Sequence, residues 1–238
     1  NKKKLSKRDK NVIQFIGEYA DLGYLPEAMF NFISLLGWSP QSDKEILSKE
    51  ELVTLFDPKR LSKAPAMFDK EKLAFINSRY IKALSMLDLI ALCRPYLERE
   101  GIEIPSEAWL EQLLSLFQDR MLYGAQITTL YKAFFHENFE LSATLLETLK
   151  EYPSASVLEA FIKEIETLEF SPESVEQAIK QAGASVQVKG KGLFMPIRIA
   201  TTAEAHGPSL PVSLTLLKKD IVLKRINQTL KLIKGASV

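Results

Sequence analysis

Helix-starting polar residues punctuate this chain. Each is followed by apolar side chains at three- and four-residue spacing, a pattern that confines the chain to helical folds. Asp69 stands before Leu73, Ile76, Tyr80, Ile81 and Leu84. Its carboxylate can accept from first-turn amides that have no intrahelical partner. Ser85 precedes Asp88 in a near capping box, and Pro105-Ser106-Glu107 opens a run through Trp109, Leu110, Leu113, Leu114 and Phe117. Ser156 and Glu159 form a Ser-x-x-Glu box, and Ser171-Pro172-Glu173 gives cap, N1 proline and early acid in order. Leu25 stands just before Pro26, and Met29, Phe32, Ile33 and Leu36 continue its helix spacing, with Gly37 as the expected stop. Leu52, Leu55 and Phe56 predict a short helix ended by Asp57-Pro58, and Gly183 is expected to close the helix that Ser171 starts.

Strand signals are few. "SVQVKGKG" (185–192) alternates briefly and then breaks on glycine, and "GLFMPIRIATT" reads as a short helix with Pro196 at N1. The predicted fold class is all-α, an elongated multi-domain helical array. Breaks fall near Leu84-Ser85, at Pro153 and over 183–192. Most aromatics of the N-terminal third (Phe30, Phe32, Trp38, Phe56, Phe68) lie on apolar faces and are expected to pack in the core.

Composition then narrows the chemistry. One cysteine, Cys93, and two histidines, His136 and His206, cannot build a zinc site or an internal disulfide. Cys93 is expected to be a core thiol, and His136 structural or exposed. A reducing, cytoplasmic setting is expected. No stretch is apolar enough to span a membrane, and no apolar run follows the first lysines as in a signal peptide. The net charge of +1 hides an uneven distribution. Residues 136–176 hold ten Glu against two Lys; residues 177–238 hold ten Lys/Arg against two acids; the first ten hold six Lys/Arg and one Asp. Two basic ends around an acidic middle point to a polyanionic partner, or to solvated helix faces.

The opening "KLSKR" (4–8) places two ammonium groups, a hydroxyl and a guanidinium together. Such a cluster can stabilise charge on the phosphates of ATP during phosphoryl or nucleotidyl transfer. It lacks the glycines of a Walker loop, and a basic tail has the same composition. The longer run "KLSKRDKNVIQFIGEYADLGYLPEAMFNFISLLGWSP" resembles glutamyl-tRNA synthetase, a class I aminoacyl-tRNA synthetase, from its KMSKS-type loop onward. "FDPKRLSKAPAMFDKEKLAFINSRYIK" and "KGLFMPIRIATTAEAHGPSLP" continue the resemblance in family order, which is weakest over 137–185.

The resemblance implies a domain order: an ATP loop (1–10), a stem-contact domain (11–84) and two helical anticodon-binding subdomains (85–150 and 151–238). It puts Lys4, Leu5, Ser6, Lys7 and Arg8 in the ATP loop, with Lys7 as the catalytic lysine. It puts Arg120, Gly207, Pro208 and Leu210 at the anticodon; an arginine can donate two parallel bonds to a base edge, and the turn can offer backbone groups and an apolar side chain. Arg120 near a helix end also fits a plain solvated arginine. Tyr123 is a stacking candidate or a core residue, and Lys189, Lys191 and Arg198 are candidates for steering phosphates. "RLSK" (60–63) is expected to be only a loop between helices.

The family's Rossmann-type catalytic domain, with its HIGH-like motif, has no counterpart in these residues, so the resemblance covers about the C-terminal half of the enzyme. It implies that an intact enzyme joins glutamate to tRNA-Glu, or also tRNA-Gln, through glutamyl-AMP with ATP and Mg2+. This portion alone is expected to be inactive, monomeric, free of bound cofactor and zinc, and off the membrane. Two other readings fit the residues: a free-standing tRNA-binding module, and a helical protein-interaction scaffold.

Overall fold

A computed structural model describes residues 15–135 and 139–235. Among these residues the chain forms thirteen α-helices and two short 3-10 turns, and no strand; an isolated bridge joins Trp38 and Leu61. The all-α expectation holds. The chain divides into two compact units between Leu130 and Tyr131.

The first unit begins with α1 (Ile16–Asp21), α2 (Pro26–Gly37), α3 (Lys49–Leu55) and α4 (Lys70–Ala83). Asp69 caps α4 as expected, accepting from the amides of Glu71 and Lys72 at 2.9 and 3.0 Å. Tyr19, Ala28, Met29, Phe32, Leu73 and Ile76 form one buried cluster, with Phe68 edge-on to Phe32 at 5.0 Å. Gly37 does end α2, but without a left-handed cap: Trp38 leaves in an extended conformation, φ −141° and ψ 150°. Ser62 donates its amide to Gly37 O, and Arg60 donates to Ser39 O and Pro40 O, both at 2.7 Å. The "RLSK" segment therefore clamps the α2 exit.

Phe30 and Phe56 depart from the core expectation. They are 46% and 51% exposed and, with Ile33, Val53 and Leu61, line an apolar groove of about 470 Å³ beside Trp38. Periodicity places a side chain on a helix face. It does not say whether a neighbour covers that face.

Then come α5 (Met86–Arg99), α6 (Glu107–Phe117), the 3-10 turn Gln118–Arg120 and α7 (Gln126–Phe135). Ser85 and Ser106 cap α5 and α6 by accepting from the amides of Asp88 and Trp109. Leu89, Cys93 and Leu97 are buried at four-residue spacing. Burial pushes the Cys93 thiol up to about 12, so it is a core group with negligible thiolate.

The second unit holds α8 (Ala143–Lys150), α9 (Ser154–Ile165), α10 (Pro172–Ser185), α11 (Lys191–Thr202), α12 (Leu210–Leu217) and α13 (Lys219–Gly235); α10, α11 and α13 pack on α9, α8 packs on α11 and α13, and α12 packs on α10 and α13. Ser171 caps α10 as expected. Ser156 does not cap α9: the helix starts at Ser154, and the Ser156 hydroxyl bonds Pro153 O from inside its first turn. Nor does Gly183 end α10. The helix runs to Ser185, and Gly183 is buried where a Cβ would lie 2.5 Å from Leu193 Cδ2 and 2.7 Å from Val188 O. Its small size serves helix packing rather than termination. Pro196 is likewise inside α11, which starts at Lys191 behind a left-handed Gly190. Arg225, 4% exposed, donates to Thr201 O at 2.6 Å and lies 5.0 Å from the Phe139 ring. Burial lowers its pKa, while the bond and the ring face offset the cost of holding the cation inside.

Candidate nucleic-acid interface

Each unit carries one candidate RNA contact. In the first, Arg120 is the last residue of the 3-10 turn after α6 and is exposed. Among the described residues no hydrogen bond or ion pair occupies its guanidinium. The turn beneath it is fastened at both ends. Gln118 Nε2 donates to Ile81 O at 3.0 Å and Leu84 O at 3.1 Å, with Lys82 O at 3.4 Å, and so engages the carbonyls where α4 stops; Ile81 O also accepts the Leu84 amide. Leu122 O accepts from Asn77 Nδ2 at 2.6 Å, and Asn77 Oδ1 accepts from the Leu25 amide at 2.8 Å. A backbone pair closes the joint: Gly124 donates to Gly23 O and Ala125 to Leu22 O, each at 3.0 Å. Gly23 has φ +82°, and a Cβ on it would lie 2.8 Å from the Gly124 Cα, so the approach requires glycine. Tyr123 stacks on Tyr24 with ring centroids 5.6 Å apart, so its face is used within the fold.

In the second unit the turn before α12 joins Gly207 and Pro208 to Arg198. Arg198 Nη2 donates to Pro208 O at 2.9 Å. The other guanidinium nitrogen lies where a Cβ on Gly207 would be, 2.7 Å away. The guanidinium of Arg198, a candidate for steering phosphates, reaches the turn, and the bare Gly207 leaves it room. Gly207 is exposed and Pro208 half-buried. Leu210 is different: only 2% exposed, it starts α12 facing the core, so its side chain is not offered to a base. Lys189, Lys191 and His206 are exposed.

Lys4, Leu5, Ser6, Lys7, Arg8 and His136 lie outside the described residues. Among the described residues no group of three or more His, Cys, Asp or Glu could hold a metal ion, and no helix is long and apolar enough to cross a membrane. The residues that reading the sequence missed are Gln118 and Asn77. Both have only distant partners, and no local pattern marks them.

A surface arginine on a fastened turn, and a second turn braced by an arginine, suit contact with unstacked bases. Residues 88–230 match the family model of the anticodon binding domain, and residues 1–75 match that of the catalytic domain of class I tRNA synthetases for E and Q. The first match covers more than half of the chain, which belongs to the anticodon-binding domain family. Its homologues are glutamate–tRNA ligases. That of Acholeplasma laidlawii is 59% identical over 236 residues, 99% of this chain and 53% of that protein. That of Lysinibacillus sphaericus is 46% identical over 235 residues, 96% and 48% of the two chains. The chain thus spans about half the length of the curated relatives it matches. A crystal structure of a glutamate tRNA ligase from Elizabethkingia meningosepticum, in complex with its amino acid, superposes with a TM-score of 0.81 at 26% identity, covering 98% of this chain and 49% of that one.

Proposed function

We propose that this chain supplies the tRNA-recognising part of a glutamate–tRNA ligase. The observation that carries this reading is the anticodon-binding match over 88–230 within a chain 59% identical to such a ligase. In the whole enzyme a glutamate carboxylate attacks the α-phosphorus of ATP, pyrophosphate leaves, and the glutamyl group passes from AMP to a terminal ribose hydroxyl of tRNA-Glu. ATP and Mg2+ belong to that reaction. Lys4–Arg8 are the residues assigned to ATP, with Lys7 stabilising charge on the departing phosphates. Residues 11–84 serve as the stem-contact part, and 85–150 and 151–238 as the anticodon-reading subdomains. Arg120 and the Gly207–Pro208 turn meet the bases, while exposed cations such as Lys189 and Lys191 bind phosphates and set register.

The chain alone is expected to be a monomer of the cytoplasm that binds tRNA-Glu without forming glutamyl-AMP, since five loop residues cannot orient ATP and glutamate together. The test is a titration of the chain with a tRNA-Glu transcript at several salt concentrations, beside a pyrophosphate-exchange assay. Affinity should fall steeply with salt, as displaced counterions require, and exchange should be absent. A flat salt response would replace this reading with a protein-interaction scaffold.

A further inference from the structure

Arg120 is an exposed, unbonded side chain on a three-residue turn, and such a group has wide rotational freedom. Base reading needs a guanidinium that arrives from a defined direction, because two parallel donors must meet two acceptors at once. The structure restrains the backbone here rather than the side chain. Gln118, two residues before Arg120, turns its amide into the end of α4. Its hydrogen-bond partners are all carbonyl oxygens: Ile81 O, Leu84 O and the more distant Lys82 O. Only the amide nitrogen can face them, so the side chain has one orientation. The remaining link nearby is Asp119 with Lys82 at 3.0 Å, but those side chains are 68% and 54% exposed. A solvated pair of that kind restrains little. On the far side of Arg120, Leu122 O is held by the buried Asn77.

We propose that Gln118 is a positioning residue for anticodon reading: by donating to the carbonyls at the end of α4 it fixes the Gln118–Arg120 turn and hence the direction from which the Arg120 guanidinium meets its base. This rests on the assignment of Arg120 to the anticodon. The reach of Gln118 suits the task. Asparagine, one methylene shorter, cannot span to the helix end, and leucine fills the same space with no donor. The Gln118 amide is committed to those carbonyls and carries no charge, so its loss should act on discrimination through Arg120 and not on phosphate-driven affinity.

The experiment measures binding of the 238-residue chain to two transcripts, tRNA-Glu and the same RNA altered in its anticodon. The variants are Gln118→Leu, Arg120→Ala and both together, with folding checked by circular dichroism. Arg120→Ala should abolish the affinity ratio between the transcripts. Gln118→Leu should lower that ratio by roughly tenfold, the order of loss that a misplaced recognition group produces, and leave affinity for the altered transcript unchanged within about twofold. The double variant should match Arg120→Ala alone. Should Gln118→Leu fail to fold, Gln118→Asn makes the same test. If Gln118→Leu keeps the wild-type ratio while Arg120→Ala loses it, the positioning role is wrong and the Arg120 assignment survives. Equal weakening of both transcripts by Gln118→Leu would mean a merely structural role and also overturn the proposal. If Arg120→Ala leaves the ratio intact, the assignment fails and the proposal goes with it.

Discussion

Asn77 offers the sharpest test of how the first unit is held together. Its side chain is fully buried and answers two backbone groups from distant segments, the Leu25 amide and the Leu122 carbonyl. Asn77→Leu keeps the side-chain heavy-atom count and the branch at Cγ, though it is bulkier, and leaves both groups without a partner. Each such group costs about 1–3 kcal/mol. Leu25 is half-buried and Leu122 is 39% exposed, so water reaches part of the site and the lower half of that range applies. The new leucine recovers about 1 kcal/mol through apolar burial. The expected net loss is about 2 kcal/mol. With a urea slope of about 1–1.5 kcal/mol/M for a domain of this size, the midpoint should drop by roughly 1.5–2 M. Both tryptophans, Trp38 and Trp109, lie in the first unit, so tryptophan fluorescence follows that unit alone. Asn77→Asp adds a pH arm. The aspartate keeps the acceptor for Leu25 but sets a carboxylate against the Leu122 carbonyl, which raises its folded pKa above the unfolded value of about 3.9. Relative to wild type, this variant should therefore be weak at pH 7 and regain stability as pH falls through the folded pKa, when the protonated acid can donate. A loss below about 0.5 kcal/mol for Asn77→Leu, well under the lower bound for one stranded group, would refute the reasoning.

Gly183→Ala should destabilise the second unit by about 1–2 kcal/mol. Overpacking against Leu193 and the Val188 carbonyl costs about 1–3 kcal/mol and exceeds the gain of about 1 kcal/mol from better helix propensity; calorimetry should show the loss in one transition. Gly207→Val should drive the Arg198 guanidinium off Pro208 O, lowering stability by less than about 1 kcal/mol because the bond is part-exposed, while weakening transcript binding measurably in a filter assay. Cys93, with its thiol held near 12, should be only about one part in 10⁴ thiolate at pH 8. Its modification by a thiol-reactive dye should be at least a hundredfold slower in the folded chain than in urea.

Local chemistry in the chain was readable without coordinates. Asp69, Ser85, Ser106 and Ser171 all cap the helices they precede, because a cap is an interaction within four residues. The same locality explains the misreadings. Ser156 has the spacing of a box, but a turn earlier the chain is already committed to α9. Gly183 and Pro196 look like punctuation, yet both sit inside helices, where neighbours override a weak local preference. Arg120 and the Gly207–Pro208 turn entered as expectations from resemblance, whereas the burial of Leu210 and the engagement of Arg198 with Pro208 were visible only in the fold.

The sequence by itself determined that the chain is helical, where most helices start, and that its charges gather at two ends around an acidic middle. These follow from spacing along one polymer, in which hydrogen-bond donors and apolar side chains repeat every few residues. Only the tertiary structure decided which apolar faces stay open, as at Phe30 and Phe56, and which amides reach across the fold, as at Gln118 and Asn77. The Gln118 and Asn77 contacts join residues about 35 to 50 positions apart, and a pairing of that separation leaves no period in the chain to read.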